Sequence, residues 1–350
     1  MAIPGQLPLR ELAPFRIAPR FVGRVWGYLD LRPWFDWVTE GGEPVGEVWL
    51  TGDECLVATG PHAGKTLGCL FGESSEAMLG AGAPSPASPL LIKVIFAREK
   101  LSVQVHPDDR LAQKYGQPRG KSECWYVLAA GPGAQVAAGL KPGVTLDEVK
   151  EGIQAGTLEE SLNLLPVAAG ELIFVDAGTV HAIWPGSILL ETQQNCDLTY
   201  RMYDYGRGRE LHIDKALEAT RLTTRAGKVP ARVLADRAIL VDEEYFRVER
   251  IPVDGSRTSA SPADEDKAHR GLAYLFAAAG SGRIHSPCKS FEPVELPARG
   301  IVAVPAAAPE FLIEDMGGLD LIRIAPNWPG RSPSGETRRR RRSFCLEGFG

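Results

Sequence analysis

Short runs of β-branched and aromatic residues, each closed by glycine, proline or charged residues, fill the middle of the chain. Runs of about four to eight such residues are typical of strands. We therefore predict strands over 91–97, 101–106, 123–130, 171–176, 187–194 and 199–205. Many short strands in succession favour a sandwich or barrel over an alternating βαβ fold.

Two segments interrupt this pattern with helical signals. Thr145 is followed three residues later by Glu148, which is the spacing of a capping box, and apolar residues then recur on one face. The pattern predicts a helix over 146–155, inside a helical insertion near 141–165. A second helix is expected over 213–221.

The chain divides near residues 222–233, where the strand pattern stops and then resumes. The later segments 236–252, 272–279, 291–304 and 319–325 alternate and break like a small antiparallel β unit. We predict an N-terminal catalytic domain over 1–233, a smaller β domain over 234–330 and a basic, disordered tail over 331–350. Exposed loops are expected at 80–89 and 253–269, and the tail carries Arg338 to Arg342.

Bulk composition excludes some partners and indicates a compartment. The formal net charge of -5 gives no basic field for nucleic acid. The six cysteines show no close pairing, which indicates reduced thiols in the cytoplasm. Neither a signal peptide nor a stretch long and apolar enough to span a bilayer is expected.

The segment SVQVHPDD, residues 102–109, carries the strongest chemical signal. Side chains alternate along a strand, so Ser102, Gln104 and His106 share one face while Val103 and Val105 share the other. Three polar groups on such a strand are costly to bury unless a metal, a substrate or water satisfies them. The alternative is the exposed polar face of an edge strand.

Two further segments add metal-ligand chemistry. In KSECWY, the same alternation places Lys121, Glu123 and Trp125 on one face, although the solvent side of a hairpin is the usual place for such charges. His181 follows the strand 171–176 in a glycine-containing turn, where a surface or hydrogen-bonded histidine is the alternative. Two imidazoles, a carboxylate and an amide oxygen form a set that zinc accepts while leaving room for substrate oxygens.

Three more charged residues are candidates for the same pocket. Lys93 lies within the apolar run LLIKVIFA and must reach a partner or solvent. Glu191 and Arg201 lie on the next two strands after His181, and an arginine can stabilise an oxyanion but cannot act as a base. For Arg201 the alternative is a surface pair with an acid such as Asp204.

Together these motifs resemble a known family. QVHPDD, KSECWY, GTVHA and ETQQN followed by TYRMYDY, in this order and at these spacings, resemble the type I mannose-6-phosphate isomerases, in their shorter bacterial branch. The motifs WG at 26–27, GEVW at 46–49, GKTL at 64–67 and LLIKV at 90–94 extend the resemblance. It covers residues 20–330, approximately, and leaves the arginine-rich tail unexplained.

The resemblance implies a mainly β fold, namely a cupin β-barrel (jelly roll) with a helical insertion and a second, smaller C-terminal cupin-like unit. It implies interconversion of mannose 6-phosphate and fructose 6-phosphate through a cis-enediol, with one zinc ion per chain. The implied zinc ligands are Gln104, His106, Glu123 and His181. The implied catalytic and pocket residues are Arg201, Lys121, Glu191 and Lys93, with Ser102 at the substrate phosphate.

The sequence leaves alternatives open for the proton-carrying base, the oligomeric state and the type of activity. The proton-carrying base could be Glu191, Lys121, Lys93 or a metal-bound water, and spacing does not rank them. The expected partner is a small sugar phosphate, with the protein a monomer or homodimer away from membrane and nucleic acid. The alternatives to an isomerase are another cupin enzyme, such as a metal-dependent oxygenase, and a sugar-phosphate-binding protein.

Overall fold

The computed structural model describes residues 12–80, 83, 85–253 and 271–327. The predicted basic tail with Arg338 to Arg342, and nearly all of the predicted loop 253–269, lie outside these residues. The helices of the described part are α1 (Leu67–Leu79), α2 (Asp109–Lys114), α3 (Leu146–Ala155) and α4 (Ile213–Ala219), with a 3-10 helix at Leu158–Ser161. Within the described ranges, no helix is both long and apolar enough to cross a membrane.

Turns, loops and the helices connect the strands of the described part. They are β1 (Phe15–Arg16), β2 (Arg20–Tyr28), β3 (Val45–Trp49), β4 (Leu90–Phe96), β5 (Val103–Val105), β6 (Glu123–Ala130), β7 (Gln135–Leu140), β8 (Leu162–Pro166), β9 (Leu172–Val175), β10 (His181–Ile183), β11 (Ser187–Gln194), β12 (Tyr200–Tyr203), β13 (Gly227–Lys228), β14 (Arg232–Val233), β15 (Ala238–Asp242), β16 (Phe246–Pro252), β17 (Ala273–Ala279), β18 (Gly282–His285), β19 (Val294–Leu296), β20 (Ile301–Val304), β21 (Leu312–Asp315) and β22 (Asp320–Pro326).

Two antiparallel sheets form the larger β-sandwich. One contains seven strands in the order β13-β9-β6-β11-β4-β3-β2, and the other contains five in the order β12-β5-β10-β7-β8. Trp125 and Leu189 of the first sheet share a buried cluster with Val136 and Ile183 of the second. The sheets therefore face each other across an apolar core, as in a jelly roll.

Helices cover the outer face of the five-stranded sheet. Val103 and Val105 of β5 pack in one cluster with Val149 of α3 and Ala216 of α4. The helix predicted over 146–155 is confirmed, and its capping box is formed, because Thr145 Oγ1 accepts from the Glu148 amide while the Glu148 carboxylate accepts from the Thr145 amide. The valines of β5 thus face the helices and leave the opposite face for polar side chains.

A second β unit follows in the chain. Its larger sheet has the order β1-β20-β17-β22-β16-β15-β14, and its smaller sheet has the order β19-β18-β21. The fold class predicted from the sequence is confirmed: a mainly β chain with a jelly roll, a helical insertion and a second, smaller β unit. Phe15 pairs with Ala303, so the start of the described chain joins the C-terminal sheet. The division of the chain at 233/234 stays a prediction.

Two helices escape the sequence analysis. In α1, Gly68 and Gly72 weaken the intrinsic helix signal, and the N-cap hydrogen bond that the Cys69 amide donates to the Thr66 hydroxyl is a single local cue. Helix α2 is only six residues long and begins at the Asp108 N-cap. The turn expected at His181 is also wrong, since His181 is the first residue of β10.

Candidate metal centre and substrate cavity

Three potential metal ligands converge between the two sheets of the jelly roll. Glu123 begins β6 of the seven-stranded sheet, and His106 and His181 belong to the facing side. Their ligand atoms all lie within 4.8 Å of one another, and the three side chains are buried. Nε2 of His106 lies 3.6 Å from one Glu123 oxygen, and Nε2 of His181 lies 3.4 Å from the other. Ligand atoms around tetrahedral zinc are separated by about 3.4 Å, so the spacing suits such an ion.

Strand register brings Gln104 to the same point. On β5, Gln104 stands directly opposite His181 of β10 on one side and Arg201 of β12 on the other. His106 follows two residues later, so it projects from the same face. Alternation along the chain thus aligns Gln104 with His106, and the pairing of β5 with β10 adds His181.

Both imidazoles present an unprotonated nitrogen to the cluster. Nδ1 of His106 lies 2.8 Å from the Leu198 carbonyl oxygen, and Nδ1 of His181 lies 2.9 Å from the Thr179 carbonyl oxygen. A carbonyl can only accept, so each Nδ1 carries a hydrogen and each Nε2 keeps its lone pair. Burial lowers the pKa of His181 to about 4 and that of His106 well below its ordinary value. Neutral imidazoles fixed by a second hydrogen bond are the usual form of metal ligands.

The amide of Gln104 fits either a hydrogen bond or a metal bond. Its Nε2 lies 3.2 Å from Nε2 of His181 and 3.5 Å from Nε2 of His106, while its Oε1 accepts from the Ser102 hydroxyl at 3.1 Å. An amide turned by 180° presents Oε1 to the imidazoles instead and donates from Nε2 to Ser102. Either orientation leaves the side chain in the same place.

The carboxylate of Glu123 is placed where a cation would stabilise it. Among the described residues, neither oxygen accepts a hydrogen bond of normal geometry, although Lys121 Nζ lies 3.0 Å from Oε2. Burial and the nearby charge of Glu191 raise the pKa of Glu123. A divalent ion between the two imidazoles and this carboxylate would offset that cost, so the donor set fits zinc.

A cavity of about 400 Å³ opens beside these ligands. Every pocket residue predicted from the sequence except His106, Glu123 and His181 lines it. Its polar and charged walls are formed by Arg24, Glu47, Lys93, Ser102, Gln104, Lys121, Glu191, Asp197, Thr199, Arg201 and Arg209. The volume suits a small molecule, and the walls are polar enough for one that is rich in hydroxyl groups.

Lys93 lies within an apolar run, and its ammonium group is paired with acidic side chains. Its Nζ lies 2.8 Å from Glu191 Oε2, 3.6 Å from Glu47 Oε1 and 3.9 Å from Asp197 Oδ1. Burial opposes the ammonium form, but Glu191 and Glu47 outweigh it and raise the pKa of Lys93. Lys93 is therefore a fixed positive charge in the wall of the cavity.

Arg201 does not form the surface pair that was its alternative. Asp204 pairs with Arg209 and Arg207, while Arg201 Nη1 donates to the Glu210 carbonyl oxygen at 2.8 Å. Burial and the charge of Arg209 lower the pKa of Arg201, which still lies far above neutrality for a guanidinium. Arg201 thus presents a charged group to the cavity.

Four charged residues of the cavity wall were not predicted from the sequence, namely Arg24, Glu47, Asp197 and Arg209. Glu47 could have been found by the argument used for Lys93, because it is a charged residue on a buried strand that contains Val45 and Val48. Arg24 forms a two-point pair with Glu47, with Nε–Oε1 at 3.1 Å and Nη2–Oε2 at 3.0 Å. Asp197 lies in the loop before β12, where no local pattern marks it.

Comparison with known proteins decides the family. A mannose-6-phosphate isomerase of Streptococcus mutans is 35% identical over 246 residues, which are 67% of this chain and 77% of that protein. This chain belongs to the mannose-6-phosphate isomerase family. A probable mannose-6-phosphate isomerase of Bacillus subtilis, GmuF, is 33% identical over 289 residues, or 77% of this chain and 87% of that protein. No family model matches the sequence.

Solved structures of the mannose-6-phosphate isomerase family share the fold. The crystal structure of mannose 6-phosphate isomerase from Bacillus subtilis aligns with a TM-score of 0.77 at 30% identity, covering 89% of this chain and 99% of that one. A mannose 6-phosphate isomerase solved with zinc and yttrium aligns with a TM-score of 0.71 at 15% identity, covering 90% of this chain and 100% of that one. The second likeness shows the shared fold alone.

Proposed function

We propose that this protein interconverts mannose 6-phosphate and fructose 6-phosphate through a cis-enediol, using one zinc ion held by Gln104, His106, Glu123 and His181. One observation carries the proposal: two neutral imidazoles, a carboxylate and an amide meet beside a charged cavity of about 400 Å³ in a chain of this family. A bound zinc ion would supply Lewis-acid polarisation of the sugar oxygens at C1 and C2.

Arg201 and Lys93 carry the electrostatic tasks in this proposal. The reaction moves a proton between C1 and C2, so negative charge develops on the sugar oxygens. The guanidinium of Arg201 lines the cavity on the strand next to Gln104 and can donate a charge-assisted hydrogen bond to such an oxygen. Lys93 stays protonated between Glu191 and Glu47 and therefore donates hydrogen bonds rather than accepting a proton.

The proton carrier is proposed among the groups around Lys93. Glu191 is buried, accepts from the Trp125 indole at 2.9 Å, and lies 2.8 Å from Lys93 Nζ. Burial opposes its ionisation, but Lys93 and Lys121 outweigh this and lower its pKa, so the carboxylate is ionised and able to accept. Lys121 also lines the cavity, next to Glu123. Burial opposes the ammonium form of Lys121, but Glu123 and Glu191 outweigh it and raise its pKa, so Lys121 stays protonated as Lys93 does. Glu191 is therefore the side chain that we propose as the proton carrier.

The substrate phosphate is proposed to lie at the cationic wall. Ser102 lines the cavity on the same face of the strand as Gln104, and Arg201 and Arg209 stand nearby on and after β12. A phosphate monoester carries nearly two negative charges at neutral pH, and guanidinium groups bind it at two points. We assign the phosphate to Ser102 and Arg209 and the oxygens at C1 and C2 to Arg201, so the charge of Arg209 favours a phosphorylated sugar over a free one.

The test is an assay in which purified protein is given mannose 6-phosphate and the formation of fructose 6-phosphate is measured. Isomerase activity that is lost on chelation and restored by zinc supports the proposal. Oxygen consumption with bound iron would indicate the oxygenase alternative instead. Tight binding of mannose 6-phosphate without turnover would indicate a binding protein.

A further inference from the structure

The segment that leads into β6 carries both Lys121 and Glu123 but has no helix or strand of its own before Glu123. Its backbone is nevertheless held at three successive amides. Gly120 N donates to Asp109 Oδ1 at 2.7 Å, Lys121 N donates to the Pro107 carbonyl oxygen at 3.0 Å, and Ser122 N donates to Gln194 Oε1 at 2.9 Å. We call residues 120–123 the ligand segment.

Asp109 lies at the centre of these contacts. Its Oδ1 accepts from Gly120 N and, at 2.9 Å, from Gln194 Nε2. One oxygen therefore binds the ligand segment directly at Gly120 and also holds Gln194, which accepts from Ser122 N. Its Oδ2 accepts from the Tyr245 hydroxyl at 3.0 Å. Tyr245 belongs to the turn between β15 and β16 of the C-terminal β unit, and it lies 136 residues from Asp109 in the sequence.

The packing at Gly120 shows how closely the two segments lie. A Cβ atom at Gly120 would lie 2.4 Å from the carbonyl carbon of Asp108 and 2.5 Å from the carbonyl oxygen of Pro107. The backbone after His106 therefore touches the backbone before Glu123. One of these segments directly follows His106 and the other leads into Glu123, so each adjoins a proposed metal ligand.

We propose that Asp109 is a positioning residue for the metal centre, and that the C-terminal β unit contributes to the site through the Tyr245 hydroxyl. Asp109 orients the ligand segment against the chain that follows His106, which fixes Lys121 and Glu123 relative to the two imidazoles. Tyr245 holds the Asp109 carboxylate in turn. Burial and the charge of Asp109 raise the pKa of Tyr245, so its hydroxyl keeps the proton that it donates. This inference rests on the proposed function only where kcat and KM are measured.

The test compares Asp109→Ala, Asp109→Asn and Tyr245→Phe with the wild type. Loss of a group that orients a metal ligand costs about 10–100-fold in metal affinity or activity. We expect Asp109→Ala to weaken zinc binding by about that factor, measured by competition with a chromophoric chelator, and Tyr245→Phe to weaken it by about threefold to tenfold. In both variants kcat should fall while KM for mannose 6-phosphate stays within about twofold, because the phosphate contacts are untouched.

Two variants separate positioning from general stability. Asp109→Asn keeps an oxygen for Gly120 N and Gln194, and its amide can donate to the Tyr245 hydroxyl, so it should restore most of the zinc affinity. Tyr274→Phe removes a buried hydroxyl from the same β unit that makes none of these contacts, and it should bind zinc as the wild type does. Tyr245→Phe carries the test if Asp109→Ala does not fold.

Amide hydrogen exchange at residues 120–122 gives a readout that needs neither metal nor activity. Faster exchange there in Asp109→Ala and Tyr245→Phe, with wild-type exchange in Tyr274→Phe, supports the proposal even if the wild type has no isomerase activity. A wild type without isomerase activity would overturn the proposed function but not the positioning role of Asp109. Wild-type zinc affinity, kcat and exchange in both Asp109→Ala and Tyr245→Phe would overturn the positioning role, and so would an equal loss in Tyr274→Phe.

Discussion

Glu191 and Lys93 stand directly opposite each other on β11 and β4, and the Lys93 ammonium lies 2.8 Å from the Glu191 carboxylate. Both side chains are buried in the wall of the cavity, with Glu47 as a second acid beside the lysine. The pair therefore joins two roles. It carries charge at the proposed active site, and it neutralises charge inside the larger β-sandwich.

Breaking this pair should destabilise the fold. Lys93→Met leaves Glu191 and Glu47 buried without the central cation, and loss of one partner of a buried pair costs about 3–5 kcal/mol. Lys93→Met with Glu191→Gln should cost less than Lys93→Met alone, because one uncompensated charge is gone. Urea unfolding of the two variants measures the difference, and equal losses would contradict the coupling.

Chelation should abolish isomerase activity, and zinc should restore it. His181→Ala removes a ligand whose Nε2 faces Glu123, so we expect a protein that loses its zinc and turns over at least about 100-fold more slowly. His285→Asn, in the C-terminal β unit, should keep both metal and turnover and serves as the control. Full activity in a demonstrably metal-free preparation contradicts the proposed site.

Arg201→Ala should separate catalysis from metal binding. Removing a donor to a developing oxyanion costs about 100–1,000-fold in kcat, while the zinc ligands stay in place. Measured zinc content should match the wild type. Arg225→Ala removes an exposed arginine that pairs with Glu243 and should leave kcat unchanged. Unchanged turnover in Arg201→Ala would remove this residue from the mechanism.

Acid should weaken the C-terminal β unit through Glu249. Burial raises the pKa of this carboxylate, but Arg323 and Arg247 outweigh it, so its folded-state pKa is lowered. The stabilisation is complete above the unfolded pKa of about 4.3 and is lost as pH falls through the folded value. Urea unfolding between about pH 6 and 3 should therefore show a smaller pH slope in Glu249→Gln than in the wild type or in Glu295→Gln, an exposed control. Equal slopes in all three would exclude Glu249 as the source.

The capping box of α3 gives a stability prediction that leaves activity untouched. Thr145→Ala should lower the free energy of unfolding by about 1 kcal/mol, because the Glu148 amide loses its acceptor. Thr157→Ala is the matched control, since Thr157 precedes the 3-10 helix and its side chain makes no cap hydrogen bond. A cost in Thr157→Ala as large as in Thr145→Ala would show that the cap bond is not the cause.

Local patterns in the sequence determined much of this protein. The capping box at Thr145 defines α3, and alternation along β5 places Gln104 and His106 on one face because successive strand residues point to opposite sides. The motif order identified the family. These features depend on neighbours in the chain, so a sequence contains them directly.

Only the tertiary structure decided which segments meet. Arg24, Glu47 and Asp197 join Lys93 through the pairing of β2, β3 and β4 and through the loop before β12, and no local pattern specifies those pairings. The glycine after the strand 171–176 predicts a turn at His181, but His181 begins a three-residue strand that is defined by its pairing with Gln104 and with β7. Tyr245 reaches Asp109 across 136 residues. Contacts of this kind are set by the packing of sheets and of the two β units, which depends on the whole chain at once.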